Sequence, residues 1–221
     1  MKPPLKIAII GCGGIACHLV PALSRQSELV LVDGDSYEEA NIPRQFAAMH
    51  STGNKAEALM ELCQPHTTLQ IQAIPEFLRD ARVTVDPAWK GVDLIIGAVD
   101  NNRSRELIIE LARDLEIPAI LAGNEHEHGE AHLFVPNVYN PFDHFDFGKG
   151  EPPPWACNHA KTLEEFPQTA VANILAAGAV HHLLLAWGHV SNPLNAVAHS
   201  RTEPLANSSS RIRELLAAAK A

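Results

Sequence analysis

One run of residues narrows what this 221-residue chain can fold into. The apolar, largely β-branched stretch Ile7 to Ile10 ends in Gly11-Cys12-Gly13-Gly14-Ile15-Ala16. A helical pattern continues to about Ser24, and a second apolar run, Leu29 to Val32, stops at Asp33. Strand, glycine turn, helix, strand and acid in that order predict a βαβ unit with parallel strands. Gly11 permits the tight turn, Gly13 and Gly14 let a phosphate approach the backbone, and Ala16 is small enough for close helix–strand packing. The helix N-terminus supplies N–H donors and a partial positive charge for an anion. Asp33 stands about twenty residues on, where an acid accepts from ribose hydroxyls. The pattern therefore predicts a nucleotide site.

The stretch after Asp33 is more cationic than a dinucleotide needs. Asp35, Asn41, Arg44, Gln45 and Lys55 come in quick succession. A glycine loop and helix terminus handle two phosphates. An arginine fork and a lysine point charge beside them fit a longer phosphate chain, as in ATP. The plainer reading, that Arg44 and Lys55 are solvated residues of an irregular segment, stays open on spacing alone.

Downstream, residues 55–64 read as a helix, 68–74 as a third strand and 75–90 as a poorly patterned crossover. Residues 92–99 form a fourth strand with Asp100 at its C-terminal end, the edge where open α/β sheets bind ligands. Asp100 is equally an ordinary helix-start acid favoured by the dipole. Asn101 or Asn102 caps the next helix, Ser104 to Leu115, and Pro118 to Ala122 is a fifth strand. Strands alternating with helices predict an α/β fold with a doubly wound, mainly parallel sheet.

These motifs carry a resemblance. GxGGxA, VDGDSYEEANIPRQF and GNKAEAL resemble the ThiF/MoeB/HesA family of the ubiquitin-activating-enzyme superfamily. There the stretch reads approximately D-x-D-x-V-x-x-x-N-x-x-R-Q, followed by a G-x-x-K-like stretch. Asp33, Asp35, Asn41, Arg44, Gln45 and Lys55 fall on it. A second family stretch, D-N-x-x-x-R, is matched by Asp100, Asn101 and Arg105. The resemblance implies a Rossmann-like ATP-binding fold and a site of Gly11, Gly13, Gly14, Asp33, Asp35, Asn41, Arg44, Lys55, Asp100 and Asn101. It implies Mg²⁺ on Asp100. It also implies ATP-dependent adenylation of the C-terminal glycine carboxylate of a small ubiquitin-like or sulfur-carrier protein, by an enzyme that is commonly a homodimer. Residues 1–188 would form the adenylation domain and 189–221 a C-terminal extension with a short helix. The family's paired C-x-x-C motifs have no counterpart here, so structural zinc is not expected.

Other candidates keep two readings each. Asn124 to His132, NEHEHGEAH, either binds metal through His126 and His128 or is a polar turn before a strand at Leu133-Phe134-Val135. Cys157, beside His159, is either a thioester-forming nucleophile or an incidental thiol. Cys12, Cys17 and Cys63 read as buried small side chains. Gln168 to Trp187 is a long apolar helix, buried in a monomer or shared in a homodimer. Beyond it come a strand near Leu194 to His199 and a helix over Arg211 to Lys220.

Composition bounds the partners. With 46% hydrophobic and 19% charged residues the chain is globular, and a net charge of −9 opposes nucleic acid and anionic membrane surfaces. Four scattered cysteines give no disulfide framework, and no signal peptide is read, so a cytoplasmic location is expected. Two other function classes remain: an NAD-dependent oxidoreductase, which leaves Arg44 and Lys55 idle, and a nucleotide-binding interaction module without turnover.

Overall fold

Alternation of apolar side chains on both strand faces builds the sheet. In β1 (Leu5–Ile10) Ile7 and Ile9 enter one core layer while Ala8 and Ile10 enter the other. In β2 (Ser27–Val32) Leu29 and Leu31 are split from Val30 and Val32 in the same way. Strands apolar on both faces belong in the middle of a sheet covered by helices. The computed structural model describes residues 4–80, 86–124, 128–142, 169–188 and 197–200.

Seven strands pair in the order β3-β2-β1-β4-β5-β6-β7. β3 (Ile71–Ile74), β4 (Leu94–Gly97) and β5 (Ala119–Asn124) run parallel to β1 and β2. β6 (Gly129–Phe134) and β7 (Val197–Ser200) complete the sheet antiparallel. The core layer on one face joins α1 (Gly14–Leu23), α2 (Lys55–Cys63) and α4 (Ala170–Gly188); α3 (Asn102–Asp114) packs into the opposite layer. The α/β, doubly wound, mainly parallel expectation is met. Among the described residues no helix is long and apolar enough to cross a membrane.

Boundaries move for local reasons. The third strand begins at Ile71 and not Thr68, because polar side chains capture the backbone before it. Gln64 Oε1 accepts from Ile71 N–H at 2.8 Å, and Thr67 Oγ1 accepts from Leu69 N–H at 3.1 Å. The fifth strand runs on past Ala122 to Asn124, and β6 starts at Gly129, because Gly123 and Asn124 pair with Glu130 and Gly129. That pairing extends strand into the stretch read as a polar turn. β7 falls within the stretch read as a C-terminal extension and pairs with β6. The helix expected over Arg211 to Lys220 lies outside the described residues.

The strand order puts β1 beside both β2 and β4. The chain leaves β1 for one side of the sheet and leaves β4 for the other. Their carboxyl ends therefore open a crevice at the topological switch point.

Candidate functional site

The crevice is built on Gly11. Its φ of +92° lies in the region that side chains avoid, and a Cβ there would stand 2.5 Å from the Ala98 carbonyl oxygen. Gly11 N–H bonds to the Val32 carbonyl at 2.9 Å, which turns the chain over the ends of β2 and β4. Gly13 then caps α1 without any side-chain hydrogen bond, so the first-turn N–H groups are left for an anion.

Asp33 fastens this loop. Its Oδ2 accepts from Cys12 N–H at 2.7 Å and its Oδ1 from Asp35 N–H at 2.8 Å. Burial lifts its carboxyl above the ordinary range, and the two backbone N–H bonds oppose that rise. Each carboxylate oxygen keeps a lone pair that a hydroxyl in the cleft can use. From the other side, Tyr37 Oη–H donates to the Cys12 carbonyl at 2.8 Å. The glycine loop is thus held at both the N–H and the C=O of one residue.

Lys55 arrives on the first turn of α2. Asn54 caps that helix, accepting from Ala56 and Glu57 N–H, and its Nδ2 donates to the carbonyls of Asp33 and Asp35. The ammonium lies 3.2 Å from Asp35 Oδ2, with the lysine side chain 13% exposed and the aspartate 58%. This places a nearly buried cation beside the glycine loop with a partner that solvent, or a phosphate, can replace. Asp100 is exposed at the end of β4. Asn101 caps α3 through Oδ1, which accepts from Ser104 N–H at 2.8 Å, and its Nδ2 lies 3.4 Å from Asp100 Oδ1.

Gly11, Gly13, Gly14, Asp33, Asp35, Lys55, Asp100 and Asn101 thus line one cleft. Arg44 and Asn41 do not line it. Asn41 Oδ1 instead accepts from Glu38 N–H at 3.0 Å, and its carbonyl accepts from Arg44 and Gln45 N–H. Arg44 is half-buried beside the cleft, with its Nε buried and unpartnered among the described residues. The adjacent Gln45 does line the cleft, its Oε1 also buried and unpartnered. Cys157 and His126 lie outside the described residues. His128 is exposed, and His132 Nε2 sits 3.3 Å from Glu130 Oε2. Among the described residues no cluster of three or more His, Cys, Asp or Glu is gathered for a metal.

A family model described as ThiF family matches residues 4–213, a range that holds every residue of this cleft. The chain belongs to the ThiF family. It is 33% identical over 124 residues to a tRNA threonylcarbamoyladenosine dehydratase of Haemophilus influenzae, a match covering 53% of this chain and 46% of that protein. It is 30% identical over 122 residues to the adenylyltransferase and sulfurtransferase uba4 of Neosartorya fischeri, covering 53% and 23%. The chain spans less than half the length of either relative. E. coli MccB solved with ATP superposes with a TM-score of 0.64 at 20% identity, over 86% of this chain and 57% of that one. At that identity the likeness speaks for the Rossmann-like fold alone.

Several cleft residues of this ThiF-family chain escape a reading of its motifs. Phe77 and Leu78 come after β3 and line the cleft beside Asp33 and Gly34, and Asn124 and Asn173 line it from β5 and α4. Asn54 was missed too, although an N-cap residue before an apolar-periodic run is a signal that finds it. Asn173 has no such signal: it reaches the site only because α4 packs against α1, β5 and β6. The described cysteines, Cys12, Cys17 and Cys63, are all buried. Burial pushes the Cys12 thiol well above its ordinary value and holds those of Cys17 and Cys63 up as well, Cys63 to about 11.

Proposed function

We propose that this chain is an ATP-dependent adenylyltransferase. It would join the C-terminal carboxylate of a small, glycine-tailed ubiquitin-like or sulfur-carrier protein to the α-phosphate of ATP and release pyrophosphate. The observation that carries this reading is the convergence of the α1 N-terminus, Lys55 and Asp100 on one cleft whose loop is fastened by Asp33. The attacking carboxylate is ionised at neutral pH, so the task is charge neutralisation rather than base catalysis.

Each group has a part. The first-turn N–H groups of α1 and the Lys55 ammonium hold the phosphates, and Asp33 accepts from the ribose. Phe77 and Leu78 give the cleft an apolar wall for the base. A single exposed carboxylate with phosphate oxygens suits Mg²⁺, which retains water and uses few protein ligands, so Asp100 is the residue that would hold it. There the ion would offset negative charge on the departing pyrophosphate.

One relative is named an adenylyltransferase, which supports adenylation chemistry, while the other is named a dehydratase of a modified tRNA nucleoside. The net charge of −9 favours a protein tail over RNA as the carboxylate donor here. We also propose that the chain works as a homodimer in the cytoplasm, with pairing through α4.

Calorimetry with ATP and Mg²⁺, alongside NAD, tests the reading. ATP should bind and NAD should not. Asp100→Ala and Lys55→Ala should fold normally and lose pyrophosphate exchange, in the presence of a glycine-tailed carrier, by roughly a hundredfold or more. Preferential NAD binding would move the protein to the oxidoreductases. Undiminished exchange in Asp100→Ala would remove that residue from the chemistry.

A further inference from the structure

Asn173 is the buried polar residue of a helix whose other polar side chains, His181 and His182, are half-buried. It is 2% exposed, and its helix neighbours Ala172, Ala176 and Ala177 are buried with it. A primary amide in such a place is destabilising unless both of its ends are bonded. Both are. Nδ2 donates to the backbone carbonyl of Arg44 at 2.9 Å, and Oδ1 accepts from Asn124 Nδ2 at 2.9 Å. A carbonyl only accepts, so this bond fixes which way the Asn173 amide faces. That orientation in turn fixes the facing end of Asn124. The same amide fills the space beside Gly14, where a Cβ would overlap it.

One side chain therefore touches the phosphate loop, the end of β5 and the segment carrying Arg44 and Gln45. That segment lacks strand or α-helix. Its own bonds, Arg44 N–H and Gln45 N–H to the Asn41 carbonyl, set its curvature without tying it to the sheet. Ile42, Phe46 and Met49 along it are exposed, and it is anchored further on by Ala47 and Ala48, which pack into the core. Asn173 ties its backbone to the body of the protein across 129 positions of sequence.

We infer that Asn173 is a positioning residue for the phosphate cleft. It acts through the Arg44 carbonyl, holding Arg44 and Gln45 against the glycine loop, and it need not touch substrate. Arg44 Nε and Gln45 Oε1, buried and without partners among the described residues, are the groups it keeps in place. This rests on the ATP reading above.

Asn173→Asp is the test. The variant keeps the shape and still accepts from Asn124, but it offers the Arg44 carbonyl a lone pair in place of an N–H. Amide hydrogen exchange on the full chain without nucleotide should accelerate about tenfold over residues 41–50 while β1, β2 and β4 keep their protection. Affinity for Mg²⁺ and ATP should fall about tenfold. Because Asn173 acts by placing Arg44 and Gln45, adding Asn173→Asp to a chain that already carries Arg44→Ala and Gln45→Ala should change ATP affinity by no more than about twofold. Arg44→Ala retains the backbone carbonyl, so on its own it should leave exchange unchanged.

Unchanged exchange in Asn173→Asp overturns the inference, as does a further loss of ATP affinity when Asn173→Asp is added to Arg44→Ala with Gln45→Ala. If the wild-type chain binds no ATP, the proposed function fails and exchange alone decides the role of Asn173. Should Asn173→Asp not fold, Gly14→Ala displaces the same amide sterically and is read by the same exchange. Normal protection of residues 41–50 in that variant counts against the inference equally.

Discussion

Asp33 performs two tasks that pull its ionisation in opposite directions. Burial raises the carboxyl's pKa, while the N–H groups of Cys12 and Asp35 favour the charged form; burial is the larger effect. A raised folded-state value means that the folded protein binds a proton more readily than the unfolded chain. The Asp33 contribution to stability is therefore full below the ordinary carboxylate range and is lost as pH rises through the elevated value. Asn at this position cannot ionise, so Asp33→Asn should escape that loss. It carries a separate penalty, since an amide accepts through one oxygen only and leaves either Cys12 or Asp35 N–H unpaired, costing about 1–3 kcal/mol. Urea unfolding of both proteins over a pH series should show wild type ahead at low pH and its lead shrinking upward. A lead that stays constant with pH would mean that burial does not govern this carboxyl. The Tyr37 hydroxyl, shifted upward by the same kind of burial, stays protonated and keeps donating to the Cys12 carbonyl throughout.

Among the elements, α4 decides how closely the sheet and the site can be assembled. Gly129 on β6 makes this plain: a Cβ there would collide with the backbone of α4 at Leu175 and Ala176, which has no side chain to swing away. Gly129→Ala should therefore push the helix off the sheet and destabilise the protein by about 3 kcal/mol. The urea midpoint reads this. A midpoint within error of wild type would show that the helix can shift without loss. The displacement should also weaken ATP binding, since Asn173 rides on the same helix. Such dependence explains which parts of the site were legible in the sequence. Gly11, Asp33 and Lys55 act within one βαβ unit and its continuation, where spacing along the chain translates directly into position. Asp100 is located by the rule that parallel strands present ligands at their carboxyl ends. Asn173 and Phe77 owe their places to long-range packing, and nothing adjacent to them in sequence signals a site; Asn124 opens the histidine-rich stretch, which pointed to a metal and not to this cleft. Likewise the length of β3 was set by Gln64 and Thr67 side chains bonding to backbone, a local competition that strand periodicity does not register.

At the scale of the whole molecule, α4 has a second face. Val171, Ile174 and Leu185 are 61%, 51% and 64% exposed, and with exposed Gly178 and half-buried His181 and His182 between them they form one mainly apolar stripe along the helix. The opposite side carries Ala172, Ala176, Ala179, Val180 and Leu183 into the core. An apolar stripe left outside on a helix so well anchored is the feature behind the proposed homodimer. Each chain carries a net charge of −9, so two copies repel, and the apolar contact must overcome that repulsion. Salt screens it: at about 0.15 M the Debye length is already about 8 Å. Association should therefore strengthen as salt rises, opposite to what an interface held by ion pairs would do. Sedimentation of the wild-type chain should give twice the 24.0 kDa mass. Ile174→Glu, which places a further negative charge on the stripe, should sediment as a single chain and retain its fold. A wild-type chain that stays monomeric at tens of micromolar and high salt would leave the stripe without this role. A dimer that persists in Ile174→Glu would put the interface elsewhere on the molecule.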